Sequence, residues 1–202
     1  MDRPKLFLQT TILAFAALFL SVGAFAQSSP RTVDETQPGF EAVLHILVAS
    51  NSTSAKGQVP ASLSDTIRKL KGIYAFSDYR LLSTHFERVS SSIETKSVLR
   101  DPSDDQFGAY PLFTEWSIGG LTAPTDGRKG NLQMQVFRFN ARVPVPMAAE
   151  GSPRPAVGFE SIGMTAQRVS VPEGVPTVIG SLSMGRPGET AILVLTVTPV
   201  RE

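Results

Sequence analysis

Apolar and polar residues alternate with a period of two along most of the chain, and this pattern predicts a β-rich protein. The clearest example is Val175 to Val200, in which two apolar runs flank the turn sequence Arg186-Pro187-Gly188-Glu189. Proline suits the second position of a type II turn, and glycine suits the third, where φ is positive. The run after the turn is apolar on both faces, which is typical of a central strand. The run before it is predicted to be half exposed.

Six further stretches carry the β pattern. They span residues 40–50, 79–89, 92–99, 113–121, 131–145 and 159–171. In the fifth stretch the apolar parity changes at Val136-Phe137, which predicts a β-bulge or a strong local twist. Pro144 and Pro146 are expected to end that strand.

A single short helix is predicted, with a capping box that begins at Ser62 and a stop at Gly72. Leu63, Ile67 and Leu70 give it one apolar stripe. A helix of this length is not stable alone, so we expect it to lie against a sheet. The predicted fold class is therefore α+β and β-dominated, an antiparallel sheet or sandwich with one short helix packed on it.

The first residues have the pattern of a secretory signal peptide. Arg3 and Lys5 precede an apolar run from Ile12 to Val22, and Ala24-Phe25-Ala26 supplies a small-x-small cleavage site. We expect cleavage after Ala26, with retention as a membrane anchor as the alternative.

The pattern predicts three parts of the chain: a signal peptide over residues 1–26, a flexible leader over 27–39 and a single β-rich domain over 40–202. After cleavage no transmembrane segment is expected, and the predicted location is the periplasm or the exterior.

The net charge limits the classes of possible partner, and the absence of cysteine limits how the domain can be stabilised. Cleavage would remove two basic residues and one acidic residue, so the formal net charge of +1 would fall to zero. A nucleic-acid partner is not expected, because phosphate backbones require a basic surface. The chain contains no cysteine, so an exported domain must be held by its apolar core alone.

Few residues suggest chemistry. His45 and His85 lie in predicted strands, and we interpret both as strand residues and not as ligands. The acidic segment from Asp101 to Asp105 departs from the EF-hand pattern, because Gln106 and Leu112 stand where glycine and glutamate belong. It is interpreted as a solvated loop. No metal, cofactor or catalytic residue is predicted.

Three other short patterns have structural interpretations. The segment from Ser181 to Gly185 lacks the leading glycine and the following helix of a nucleophile elbow. Asn51-Ser52-Thr53 satisfies the glycosylation sequon, which has no consequence in most bacterial exported proteins. Four aromatic residues are read as core and edge packing, with a binding surface as the alternative: Tyr74, Phe76, Tyr79 and Phe86.

The C-terminal stretch resembles the end of bacterial outer-membrane secretin domains. In that family a strand of the form G-x-x-x-V-I-G-x-L precedes a final apolar strand that ends in Thr-Pro, and Gly174 to Leu182 and Ile192 to Pro199 match these two strands. The whole chain also resembles small exported proteins of soil bacteria. The resemblance implies a role in the cell envelope.

Two functions from different classes follow. The first is an exported, non-enzymatic binding or assembly module of the bacterial envelope, with an envelope protein as a possible partner through a β edge. The second is a hydrolase or carbohydrate-acting domain that uses carboxylates such as Asp101, Asp104 or Glu115. The pattern favours the first.

Overall fold

The computed structural model describes residues 39–51, 58–101, 110–124, 130–147, 156–185 and 188–200. Within these ranges the chain forms eight strands and one helix: β1 (Phe40–Ser50), α1 (Ser64–Ile73), β2 (Asp78–Val89), β3 (Ile93–Leu99), β4 (Leu112–Gly119), β5 (Asn131–Met147), β6 (Ala156–Pro172), β7 (Thr177–Ser183) and β8 (Glu189–Pro199). All of them belong to one compact unit, Gln37–Glu202. The predicted signal peptide and all but the last residue of the predicted leader lie outside the described residues.

The described strands form two antiparallel sheets of four strands each. Sheet 1 has the order β2-β1-β8-β7, and sheet 2 has the order β3-β4-β5-β6. The inner faces of the two sheets share one apolar core. Its largest side chains are fully buried and include Phe40 and Leu44 from sheet 1 and Trp116, Phe137 and Phe139 from sheet 2. The predicted fold class, a β-dominated α+β sandwich with one short helix, is confirmed.

The outer face of sheet 1 is covered in part by α1. Leu63 and Leu70 are buried against Leu47 of β1 and against Ile192 and Val194 of β8. β8 therefore packs between the helix on one side and sheet 2 on the other, which explains why its sequence is apolar on both faces. As predicted, β8 is a central strand, and β7 lies at the edge of the sheet with its burial alternating between partly buried and exposed.

The helix differs from its prediction at both ends. A short 3₁₀ turn, Ala61–Leu63, takes the place of the predicted capping box, and the helix proper begins at Ser64 without a side-chain cap. The Ser64 hydroxyl donates a hydrogen bond of 2.7 Å to the carbonyl oxygen of Ala61 instead. The helix continues through Gly72 to Ile73, because the amide of Tyr74 still bonds the carbonyl of Leu70.

β5 also differs from its prediction, and β7 contains an irregularity. β5 continues through Pro144 and Pro146 to Met147 and stays paired with β6. Its pairing with β4 ends at Arg142, so among the described residues no strand pairs with β5 on that side at the prolines, and no donor is needed there. In β7 an irregularity between Val178 and Gly180 changes the parity, so Val178 is exposed.

The predicted change of face in β5 is confirmed, and it extends across three strands of sheet 2. Gln135 of β5 lies at the level of Gly120, which has a φ of 63°, and of Arg168 in β6, which has a φ of 54°. The registers on the two sides of this level are the same, so no residue is inserted into one strand alone. We call Gly120, Gln135 and Arg168 the switch line. On crossing it, each strand exchanges its inward and outward residues.

Candidate functional site

The outer face of sheet 2 contains a groove of about 660 Å³ that crosses β4, β5 and β6. Small-molecule and cofactor sites have volumes of about 300 to 1,000 Å³, so the groove has the size of a ligand site. It is built on paired strands, which hold the side chains in fixed rows. In the described part of the chain β6 is an edge strand, so nothing there closes the groove on that side.

Cross-strand pairing arranges the side chains in three rows. The antiparallel register places residues of β4, β5 and β6 side by side on the outer face. The rows are Phe113, Arg142 and Ser161; Glu115, Asn140 and Gly163; and Ser117, Arg138 and Thr165. Apolar, cationic, amide and hydroxyl groups therefore meet within one shallow surface.

The floor of the groove lies at Gly163. A Cβ atom built there would lie 2.9 Å from the backbone carbonyl oxygen of Phe139 and would also meet the side-chain oxygen of Asn140. The absence of a side chain at this position therefore lets Asn140 lie across β6 and lowers the surface between Ser161 and Thr165.

One end of the groove is aromatic. The rings of Phe113 and Phe159 meet edge to face, with centroids 6.1 Å apart and planes inclined by 62°. Each of these side chains is 40% exposed, which leaves apolar ring surface available to a ligand. The guanidinium of Arg142 lies over the ring of Phe159, 5.6 Å from its centroid, in a cation–π contact.

The charges across the face are distributed unevenly. Lys96 of β3 lies 3.3 Å from Glu94 and 3.7 Å from Glu115. The hydrogen bond that Lys96 donates to Glu94 and the charges of both carboxylates raise the pKa of Lys96. Within the described residues, neither Arg138 nor Arg142 has a carboxylate at salt-bridge distance. The two arginines of β5 therefore carry uncompensated positive charge on this face.

The interpretation of the acidic segment Asp101 to Asp105 as a solvated loop is wrong for its first residue. Asp101 is buried and accepts two hydrogen bonds from Arg80, at 2.9 and 2.6 Å. Glu189 adds a second carboxylate 3.8 Å from the same guanidinium. Sequence alone could not predict this pairing, because Arg80 lies in β2 and Asp101 follows β3. Asp104 and Asp105 lie outside the described residues.

The two histidines lie on opposite faces of sheet 1. His45 is half-buried and its Nδ1 lies 2.9 Å from the hydroxyl of Thr84. His85 lies between the sheets, with Ser83 3.1 Å from Nε2 and Ser97 3.4 Å from Nδ1. Desolvation lowers the pKa of both histidines, and the charge of Glu87 opposes this shift at His85. Among the described residues no three His, Asp or Glu side chains form a metal-binding group.

The other short patterns have structural roles in the described residues. Ser181 lies in β7, and its hydroxyl accepts a hydrogen bond of 3.3 Å from Tyr74. Asn51 accepts a hydrogen bond of 2.9 Å from the amide of Ser77, while the other two sequon residues lie outside the described ranges.

The four aromatic residues do not form one surface. Tyr79 is buried beside α1, and the rings of Tyr74 and Phe76 stack against each other with centroids 6.2 Å apart and pack onto the same cluster. Phe86 is exposed in β2. Packing therefore accounts for three of the four positions.

Sequence reasoning missed most residues of the groove. Of these, only Glu115 was singled out, as a candidate hydrolase carboxylate, and it lies beside Lys96. A usable signal was present in β5, where Arg138, Asn140 and Arg142 occupy alternate positions between apolar residues and therefore share the exposed face. The contributions of β4 and β6 depend on the strand order, which the sequence does not reveal.

The chain matches no protein-family model, and a search of curated proteins finds no significant match. The resemblance of residues 174–199 to secretin domains stays a prediction. In the described ranges no helix is both long and apolar enough to cross a membrane.

Proposed function

We propose that the protein is an exported, non-enzymatic ligand-binding module of the bacterial cell envelope, and that the groove on sheet 2 is its binding site. The observation that carries this proposal is a concave, sheet-borne surface that is lined by the exposed ring of Phe113 and by Arg142 and that adjoins Phe159 and Arg138. Within the described residues, neither arginine has a carboxylate at salt-bridge distance. Sites that bind ligands combine apolar surface with a few fixed polar groups in this way.

The groups in the groove favour binding over hydrolysis. Its described lining residues include one carboxylate, Glu115, and the neighbouring Lys96 holds that group by charge. Asp101, the other described carboxylate of the hydrolase alternative, is bound by Arg80 on both oxygens. Glycosidases need two carboxylates on either side of the scissile bond, so Asp101 is poorly suited to that role.

The edge of the sandwich provides a second contact region for the same function. β6 and β7 are edge strands in the described sheets, and Met164 of β6 lies over Gly180 of β7. An envelope protein that pairs with the edge of β6 would lie beside the groove. Such a partner would hold the module close to its ligand.

Photo-crosslinking in living cells tests the binding function. A photoreactive amino acid replaces Ser161 in the groove, and a matched variant carries it at Lys71 on the exposed face of α1. The probe reacts with C–H bonds of proteins and of sugars alike, so the test does not presuppose the ligand. We expect adducts at Ser161 and none at Lys71. No adduct at Ser161, or equal adducts at both positions, would contradict the proposal.

The same cells test export. Mass spectrometry of the protein from envelope and culture fractions should find a chain that begins at Gln27. A full-length chain that begins at Met1 and stays in the cytoplasmic fraction would contradict an envelope role.

A further inference from the structure

The chemistry of the groove also indicates the class of its ligand. We infer that it binds an acidic oligosaccharide, a short chain of sugars that carry carboxylates, such as uronic acids. This inference rests on the proposed binding function and adds to it the identity of the ligand class. It depends on the two arginines, the hydroxyl and amide groups between them, and the aromatic end.

The arginines provide sites for carboxylates. Arg138 and Arg142 project from the same face of β5, four residues apart, which places their Cα atoms about 13 Å from each other. A guanidinium fork matches a carboxylate with two parallel hydrogen bonds. Lys96 is neutralised by two glutamates, whereas these guanidiniums are available to attract an anion to this face. Their separation suits a ligand with more than one anionic unit.

The groups between the arginines suit sugar hydroxyls. Asn140 lies between Arg138 and Arg142 on β5, and its amide provides both donors and acceptors. Ser161 and Thr165 add hydroxyls along β6 on either side of the low floor at Gly163. A chain laid across this surface would meet polar groups of both kinds, as the hydroxyls of a sugar ring require.

The aromatic end suits the apolar face of a sugar ring. Phe113 and Phe159 both expose ring surface, and Arg142 lies over Phe159. A uronate ring that stacks on this pair would place its carboxylate within reach of the guanidinium. Free phosphate or sulfate would use the arginines but would leave the aromatic surface without a partner.

Acidic peptides and nucleic acids fit less well. The main chain of β5 is paired on both sides at the groove, so a peptide could add a strand only at the edge of β6 and not along the two arginines of β5. A nucleic acid requires a broad basic surface, whereas Glu94 and Glu115 lie on this face.

Titration calorimetry with defined oligomers tests the inference on the full mature chain. The probes are hexamers of galacturonic acid and of mannuronic acid, the methyl ester of each as an uncharged match, and a hexaglutamate peptide. The variants are Arg142→Ala, Arg138→Ala and Arg142→Lys, with Arg88→Ala as control, because Arg88 is an exposed arginine of β2 outside the groove. Fluorescence of Trp116, the only tryptophan of the chain, checks that each variant is folded.

We expect at least one uronate hexamer to bind, and its methyl ester to bind at least about tenfold more weakly, because hydrogen bonds between charged groups are the strong ones. Arg142→Ala should weaken binding by about tenfold or more, Arg142→Lys by less, and Arg88→Ala should change little. Equal binding of acid and ester, binding of hexaglutamate alone, or binding of none of the probes would each overturn the inference. Crosslinking at Ser161 to a discrete protein would also overturn it but would leave the binding function intact.

Discussion

Arg80 and Asp101 form an ion pair with two parallel hydrogen bonds, and their side chains are only 6% and 8% exposed. The pair joins the start of β2 in sheet 1 to the residues that follow β3 in sheet 2. The edge strands β2 and β3 on this side of the sandwich are therefore linked by an ion pair that is almost inaccessible to solvent. Removing one partner would leave the other charge buried.

We expect Asp101→Ala to lower the free energy of unfolding by about 3 kcal/mol, at the lower end of values for broken buried pairs, because Glu189 lies near Arg80. The double variant with Arg80→Met and Asp101→Leu should recover part of that loss, since neither member of the buried pair is left without the other, although Glu189 loses its contact with Arg80. Urea unfolding followed by Trp116 fluorescence measures both. Asp65→Ala is the control, because its pair with Arg68 is about 80% exposed and should change stability by less than about 0.5 kcal/mol. Equal losses at Asp101 and Asp65 would show that the pair is not buried in solution.

Two glycines of the edge strands differ in what a methyl group would meet. At Gly163 it would meet the backbone carbonyl of Phe139, which cannot move without distorting β5. At Gly180 it would meet only the sulfur and terminal carbon of Met164, at 2.5 and 2.6 Å, and that side chain can rotate away. We expect Gly163→Ala to destabilise the protein by about 1 to 3 kcal/mol and Gly180→Ala to be close to neutral. Similar melting temperatures for the two variants would contradict this packing.

Two other glycines should respond to alanine with opposite signs. Gly188 has a φ of 77° and an open surrounding, so Gly188→Ala adds only backbone strain and should cost about 1 kcal/mol. Gly72 lies in α1, and a Cβ atom added there would meet nothing within 4 Å outside the helix backbone, so Gly72→Ala should stabilise the protein by about 0.5 to 1 kcal/mol. Thermal unfolding of the two variants distinguishes strain from helix propensity. A stabilising effect of Gly188→Ala would mean that the turn does not need positive φ.

Stability should fall as the pH decreases through the histidine range. His85 has a pKa below its ordinary value of 6.5, mainly because burial disfavours the charged imidazolium. Below pH 6.5 the unfolded chain binds the proton more tightly than the folded chain, so stability is lost until the pH passes the folded pKa. The charge of Glu87 raises the pKa of His85 and offsets only part of this effect, and the other near neighbours, Ser83 and Ser97, are uncharged.

The contribution of His85 is measured by unfolding the parent chain and His85→Gln at pH 7.5 and pH 5. We expect the parent to lose more stability than the variant over this interval. A variant that loses as much as the parent would show that His85 takes no part, and His45→Gln then tests the second histidine, whose pKa is also lowered by burial.

The fold was largely predictable because its main signals are local. The alternation in residues 40–50 and the doubly apolar run after Gly188 predict a buried and a central strand, and both are observed. Gly188 also has the positive φ that the type II turn requires, while Arg186 and Pro187 lie outside the described residues. The prediction was wrong where the end of a strand depends on a neighbour that is distant in the sequence. β5 continues through Pro144 and Pro146 because its pairing with β4 has already ended there.

The site was much less predictable. The groove depends on the order of β4, β5 and β6 in the sheet and on their register. Neither can be predicted from the sequence of a single segment. The outward row from Arg138 to Arg142 could have been read from alternation alone. The position of Gly163 beneath Asn140 could not be predicted from the sequence. The two residues are 23 positions apart and become neighbours only through the pairing of β5 with β6.

The switch line has a consequence for how the chain finds its pairing. In a regular sheet a slip of two residues keeps every apolar side chain on its proper face, so the hydrophobic pattern alone does not forbid it. Here such a slip between β5 and β6 would separate Gln135 from Arg168 and leave two strands with their faces exchanged at different levels. The buried residues on one side would then face water over the length of the offset. The irregularity therefore destabilises pairings of β5 and β6 that are shifted by two residues, and it favours the observed register as the sheet forms.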